Sequence, residues 1–286
     1  MKRQILDLYQ EYRRGALDRR GFLSRLAQLA GGAAAAAALL PTLEGGSAEA
    51  QVVAPDDARL ETGHIEYRGT TGEVRAYSAR PKGGGKLAGV VVIHENRGLN
   101  PHTEDVARRV ALEGFAALAP DALSPLGHTP GDPDQARSLI QQLDRQANTG
   151  NYVAAVEYLK TQPRATGKVA CMGFCWGGAV TNQVAVHCPD LAAAVPFYGS
   201  QPAPEDVPKI KAAMLIHYAA DDQRINAGIP AFQDALKKAG IDHQIHTYEG
   251  AQHAFFNDTN PARYNPQAAQ LAWQRTIAFF KEKLKG

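Results

Sequence analysis

Cysteine is scarce in this chain: three residues in 286, an odd number, with no Cys-x-x-Cys spacing. That disfavours a disulfide framework and a cysteine-held zinc site, leaving open only a Cys171–Cys188 pair. Charge of one sign is also missing. The net charge is +2, with both signs mixed along the chain, so no basic stripe offers itself to nucleic acid. Aromatic residues are few, and glycine and proline are ordinary in number, which excludes fibrous and disordered classes. The one long apolar run, Leu26 to Leu40, is short and alanine-weighted, too weak for stable membrane insertion. What remains is length enough for one large α/β domain with a sizeable core, plus an appendage.

The appendage is residues 1–50. Arg19 and Arg20 precede the apolar run, and Ala48-Glu49-Ala50 resembles a small-residue cleavage site. Together they resemble a twin-arginine export signal, which implies a periplasmic or otherwise exported protein. The alternative is a cytoplasmic protein that keeps an amphipathic N-terminal helix. Residues 51–63, polar and containing Pro55, Asp56 and Asp57, read as a linker to a domain spanning 64–286.

Within that domain, His64–Tyr67 and Val74–Tyr77 alternate like a strand pair at a sheet edge. The continuous apolar run from Ala88 to His94 reads as a buried parallel strand. Helices are expected over His102–Glu113, Pro133–Gln146, Tyr152–Thr161, Gly178–Val186, Ile229–Ala239 and Ala262–Leu284. Strands are expected over Phe115–Ala119, Lys168–Met172, Ala192–Phe197, Ala213–Tyr218 and His243–Tyr248. This alternation predicts an α/β fold with a mostly parallel sheet covered by helices on both faces.

Gly173-Phe174-Cys175-Trp176-Gly177-Gly178 joins one of those strands directly to a helix. A strand that turns at once into a helix forces the corner residue into a strained backbone, and small neighbours are needed because a Cβ would crowd the turn. The pattern is a nucleophile elbow carrying sulfur, with Cys175 at a helix N-terminus where the dipole favours the thiolate and depresses its pKa. A nucleophile needs a base, and the base an orienting acid. The loop after Tyr218 supplies Asp221 and Asp222, and the loop after Tyr248 supplies His253. Asp222 is the expected acid, because Ile225 three residues on can anchor its loop. Glu95 follows the buried strand that ends at His94 and is expected near Cys175, where its charge raises the thiol pKa. The backbone amides of Asn96 and Trp176 are the expected oxyanion hole. Trp176, Phe255 and Tyr198 are the expected pocket walls.

Glu95, the Gly-x-Cys-x-Gly elbow at Cys175, the Asp-x-x-Ile loop at Asp222 and His253-Ala254-Phe255 together resemble the dienelactone hydrolase (carboxymethylenebutenolidase) family of the α/β-hydrolase fold. The resemblance runs from about Ile65 to Leu284. It implies a cofactor-free hydrolase of small-molecule esters or lactones, in which the glutamate holds the thiol at rest and substrate binding releases it for attack. It also implies arginines that grip a substrate carboxylate, one of them four residues after the histidine. Here that position is Asn257, and Asp121–Leu126 offers no second arginine, so Arg97, Arg224 and Arg263 are the substitutes to consider. A separate reading treats Cys175 as a redox-sensing or ligand-binding thiol on the same scaffold.

Overall fold

The computed structural model describes residues 5, 8, 17, 19–32, 35–36 and 52–285. The chain divides into two units, 1–52 and 53–286. The first contains helix α1 (Arg19–Ala30), whose Phe22 and Leu26 are buried with Ile5, Leu8 and Ala36. The side chains of Arg19 and Arg20, and all of Ala48-Glu49-Ala50, lie outside the described residues. Among the described residues no helix is long and apolar enough to cross a membrane.

The second unit begins with two antiparallel strands, β1 (Leu60–Gly69) and β2 (Gly72–Pro81), joined by a tight turn. Then β3 (Leu87–Ile93), α2 (Pro101–Leu112) and β4 (Ala116–Pro120) start the parallel part, followed by α3 (Pro133–Ile140) and α4 (Arg145–Lys160). The strand β5 (Ala165–Phe174) runs into α5 (Trp176–His187). The chain continues through β6 (Ala193–Phe197), β7 (Ala213–Asp221), α6 (Gln223–Asn226), α7 (Ile229–Lys238), β8 (His243–Gln252) and α8 (Pro266–Lys283). The eight strands are ordered β1-β2-β4-β3-β5-β6-β7-β8. Every pair from β4 to β8 is parallel, and β2 meets β4 antiparallel. Val90, Val91, Val92 and Ile93 on β3 are fully buried, because helices cover both faces of a central parallel strand.

Two sequence expectations are corrected. The expected linker 51–63 is not a free tether: β1 already begins at Leu60, and Val53 is buried in the core. The Val53 amide donates to Asp105 Oδ1 at 2.8 Å, and its carbonyl accepts from Arg108 Nε at 2.9 Å. The helical pair expected over Pro133–Gln146 and Tyr152–Thr161 is present, but its break falls earlier, between Ile140 and Arg145, because Asp144 takes an extended backbone and caps Ala147 at 2.7 Å, starting α4 there. All three cysteines are free.

Asp105 and Arg108 are both fully buried, and Arg108 also donates to the Tyr77 hydroxyl at 2.9 Å. Removing one partner of such a pair leaves an uncompensated charge in the interior. Asp105→Ala should therefore lower unfolding stability by about 3–5 kcal/mol, measured by urea denaturation.

Candidate active site

Cys175 sits between β5 and α5 with φ +56° and ψ −113°, a backbone that L-residues rarely adopt. Such strain costs on the order of 1–3 kcal/mol and persists only where the surroundings enforce it. Here they do. The Cys175 amide donates to the Phe197 carbonyl on β6 at 3.0 Å. A Cβ at Gly173 would come within 2.3 Å of the Gly177 carbonyl oxygen, and one at Gly177 within 2.4 Å of the His94 carbonyl oxygen. The helix start is thus pressed against the ends of two strands, and only glycine admits that approach.

The expected acid and base arrive from the ends of β7 and β8. Asp222 follows β7 and is buried, whereas Asp221 is exposed. His253 follows β8, and its Nδ1 lies 2.5 Å from Asp222 Oδ2. The carboxylate accepts the Nδ1 proton, which fixes the ring and leaves Nε2 free to take a proton. The Asp222 loop is secured from below. Asn226 donates its amide to the Asp222 carbonyl at 2.9 Å and its side chain to the Ala219 carbonyl at 2.8 Å, and Ile225 is buried beneath.

Glu95 follows His94 at the end of β3. Its Oε2 accepts from Asn257 Nδ2 at 2.7 Å. The Asn257 amide is oriented for this, because its Oδ1 accepts from the Thr259 amide at 3.0 Å and the Thr259 hydroxyl at 2.6 Å. Asn257 thus serves the glutamate. His94, which sequence reasoning passed over, braces the same corner. Its Nδ1 lies 2.6 Å from the Glu95 carbonyl, its Nε2 accepts from the Ala122 amide at 3.2 Å, and its ring stacks on Trp176 at 5.3 Å. The one signal for it was a polar residue closing a fully apolar strand.

Electrostatics at the thiol differ from the expectation drawn from the helix dipole. The Cys175 pKa is pushed up to about 11, first by burial and then by the Glu95 charge. The Trp176 amide and the more distant Arg224 pull it down but do not win. That balance favours the neutral thiol.

Cys175, Trp176, Asn96, Tyr198 and His253 line one cleft of about 1360 Å³. Arg97, expected at this surface, is exposed and outside the lining, as is Arg263. Phe255 is fully buried against Tyr198 and Tyr248, because Ala254 takes a positive φ (+70°) and turns it away from His253. Arg224 does line the cleft, and so do Arg137 on α3 and Arg145 on α4, two positions no motif marked. No carboxylate shares that lining among the described residues. Among those residues, too, no three His, Cys, Asp or Glu side chains are grouped to hold a metal ion.

A profile of the Dienelactone hydrolase family matches residues 74–284. The "Putative carboxymethylenebutenolidase" of Saccharolobus solfataricus is 33% identical over 259 residues, covering 77% of this chain and 98% of the relative. "Protein usf" of Aquifex pyrophilus is 36% identical over 233 residues, with 77% and 98% covered. Among solved structures, a dienelactone hydrolase-like promiscuous phosphotriesterase from metagenomic libraries superposes with TM-score 0.72 at 28% identity, covering 79% of this chain and 99% of that one.

Because the Glu95 charge raises the thiol pKa, neutralising it must lower that pKa. Glu95→Gln should shift the midpoint of Cys175 alkylation by iodoacetamide down by about one pH unit, with the reaction followed by mass spectrometry from pH 6 to 12.

Proposed function

The chain belongs to the dienelactone hydrolase family, and from that footing we propose that it cleaves carboxylic esters or lactones through a thioester on Cys175. One observation carries the reading: the imidazole bonded to Asp222 and the thiol raised on its strained corner open onto the same cleft. In the first half-reaction the thiol proton passes to the Glu95 carboxylate. The sulfur forms a bond to the carbonyl carbon, and the carbonyl electron pair moves to oxygen, where the Asn96 and Trp176 amides receive it. Each such donor is worth about 3–4 kcal/mol of barrier. Collapse breaks the bond to the leaving oxygen, which takes the proton back from Glu95 and leaves the thioester. In the second half-reaction His253 accepts a proton from water, the hydroxide adds to the thioester, and the departing sulfur recovers that proton.

The cleft also speaks to the substrate. Arg137, Arg145 and Arg224 are exposed, and no ion pair to any of them is found among the described residues. An ester or lactone bearing an anionic group suits this wall, with Arg224 on the side of the thiol. Asn257 is committed to Glu95 and is not a substitute for an arginine clamp. The redox alternative is disfavoured by the same electrostatics, since an oxidation sensor needs a low-pKa, accessible thiol and this one is held high.

Cys175→Ala should abolish hydrolysis of 4-nitrophenyl octanoate and of mono-4-nitrophenyl suberate while leaving the melting temperature unchanged. The unaltered chain should show a burst of nitrophenol and an acyl adduct on Cys175. It should also favour the suberate ester several-fold at low salt. Retained turnover in Cys175→Ala would refute the assignment, and equal rates for the two esters would refute the anionic preference.

The export reading belongs to this proposal as well: Arg19 and Arg20 direct a folded chain through a twin-arginine route, with removal near Ala50. Arg19→Lys combined with Arg20→Lys should retain the full-length chain in the cytoplasm, read by fractionation and immunoblot. Unchanged distribution would instead favour the retained helix.

A further inference from the structure

Two buried oxygen atoms beside the thiol have no hydrogen-bond partner among the described residues: Glu95 Oε1 and the Tyr198 hydroxyl. Orphaned buried polar atoms cost free energy, so each calls for an account. The two groups interact. After burial, the Glu95 charge is the largest influence on the phenol, followed by Cys175. Burial and these two charges raise the Tyr198 pKa well above the ordinary phenol value, so the hydroxyl keeps its proton and is available as a donor.

The phenol is not free to retreat. Tyr198 has φ +38°, unusual for a bulky residue and held only by close surroundings. Its amide donates to the His217 carbonyl at 2.7 Å, and its ring packs 5.1 Å from His253 and 5.3 Å from Phe255. A Cβ on the next residue, Gly199, would lie 2.3 Å from the Gly178 carbonyl carbon, which pins this loop to α5. The mobile partner is Glu95, whose terminal torsion is soft.

We infer that Tyr198 is a positioning residue for Glu95: its hydroxyl donates to Oε1 as Asn257 donates to Oε2, and this two-donor seat holds the carboxylate aimed as the acceptor of the thiol proton. The inference rests on Cys175 being the nucleophile. The other titratable or charged groups facing this corner are Cys175 from α5, His94 from β3, Asp222 and Arg224 after β7, and His253 after β8. None of them reaches Oε1 with a hydrogen bond.

Tyr198→Phe keeps the ring and removes only the donor. The acidic limb of its kcat/KM profile with 4-nitrophenyl octanoate should move up by about one pH unit, with the activity recovered at high pH. A purely structural role would depress the rate evenly at all pH values. In a Glu95→Gln background, Tyr198→Phe should produce no such displacement. A second readout does not need turnover. The alkylation midpoint of Cys175 should rise in Tyr198→Phe, opposite to its fall in Glu95→Gln, because the carboxylate still carries its charge where the thiol titrates and, with one donor gone, presses more of that charge on the sulfur. An unmoved acidic limb with an unmoved alkylation midpoint overturns the inference, as does a limb displacement that persists without Glu95. Absence of ester hydrolysis in the unaltered chain defeats the nucleophile reading instead, and the alkylation comparison then decides Tyr198 alone.

Discussion

Close backbone contact at the start of α5 is the constraint on which the rest of this site depends. Gly173 lets the first turn of the helix press onto β5, Gly177 lets it press onto the carbonyls that end β3, and Gly178 does the same at the end of β6. That pressure holds Cys175 at φ +56° and lifts its sulfur to the mouth of the cleft. The same contact fixes where Glu95 and Tyr198 must stand, since each leaves one of those two strands at its carboxyl end. A parallel sheet brings strand ends to one edge, so side chains more than 150 residues apart in sequence, such as Glu95 and Asn257, become direct partners.

The balance of charges at that edge favours a quiet resting enzyme. Burial and Glu95 together outweigh the helix start and Arg224, and the sulfur stays protonated. The dipole of a helix N-terminus is worth typically 0.3–1 kcal/mol at an exposed position, whereas desolvation of a buried charge acts on a larger scale. In the proposed mechanism, reactivity is therefore supplied when substrate alters the surroundings of Glu95, rather than by the fold alone.

Much of this was legible in the sequence because its determinants are local. An elbow announces itself through adjacent glycines, and the choice of Asp222 over Asp221 followed from the anchoring Ile225, which is buried. The mixed sheet was legible from alternating runs, although the place of the break between α3 and α4 was not, since one extended aspartate decides it. Direction was the harder matter. Phe255 and Arg97 sit close to the reactive residues in sequence, but Ala254 turns Phe255 into the core and Arg97 points to solvent. Arg137 and Arg145 were invisible because helices without any motif carry them to the cleft. The roles of His94 and Asn257 depend on partners that only the folded edge assembles.

The burial of Val53 has a bearing on maturation. Both polar groups of its backbone are engaged, the amide by Asp105 and the carbonyl by Arg108, deep inside the hydrolase body. A peptidase trimming the chain after Ala50 would leave just Gln51 and Val52 ahead of that clasp. Any cut three or more residues further along would strip a guanidinium of its acceptor and open the hydrophobic interior, so the permissible scission window closes abruptly at this point.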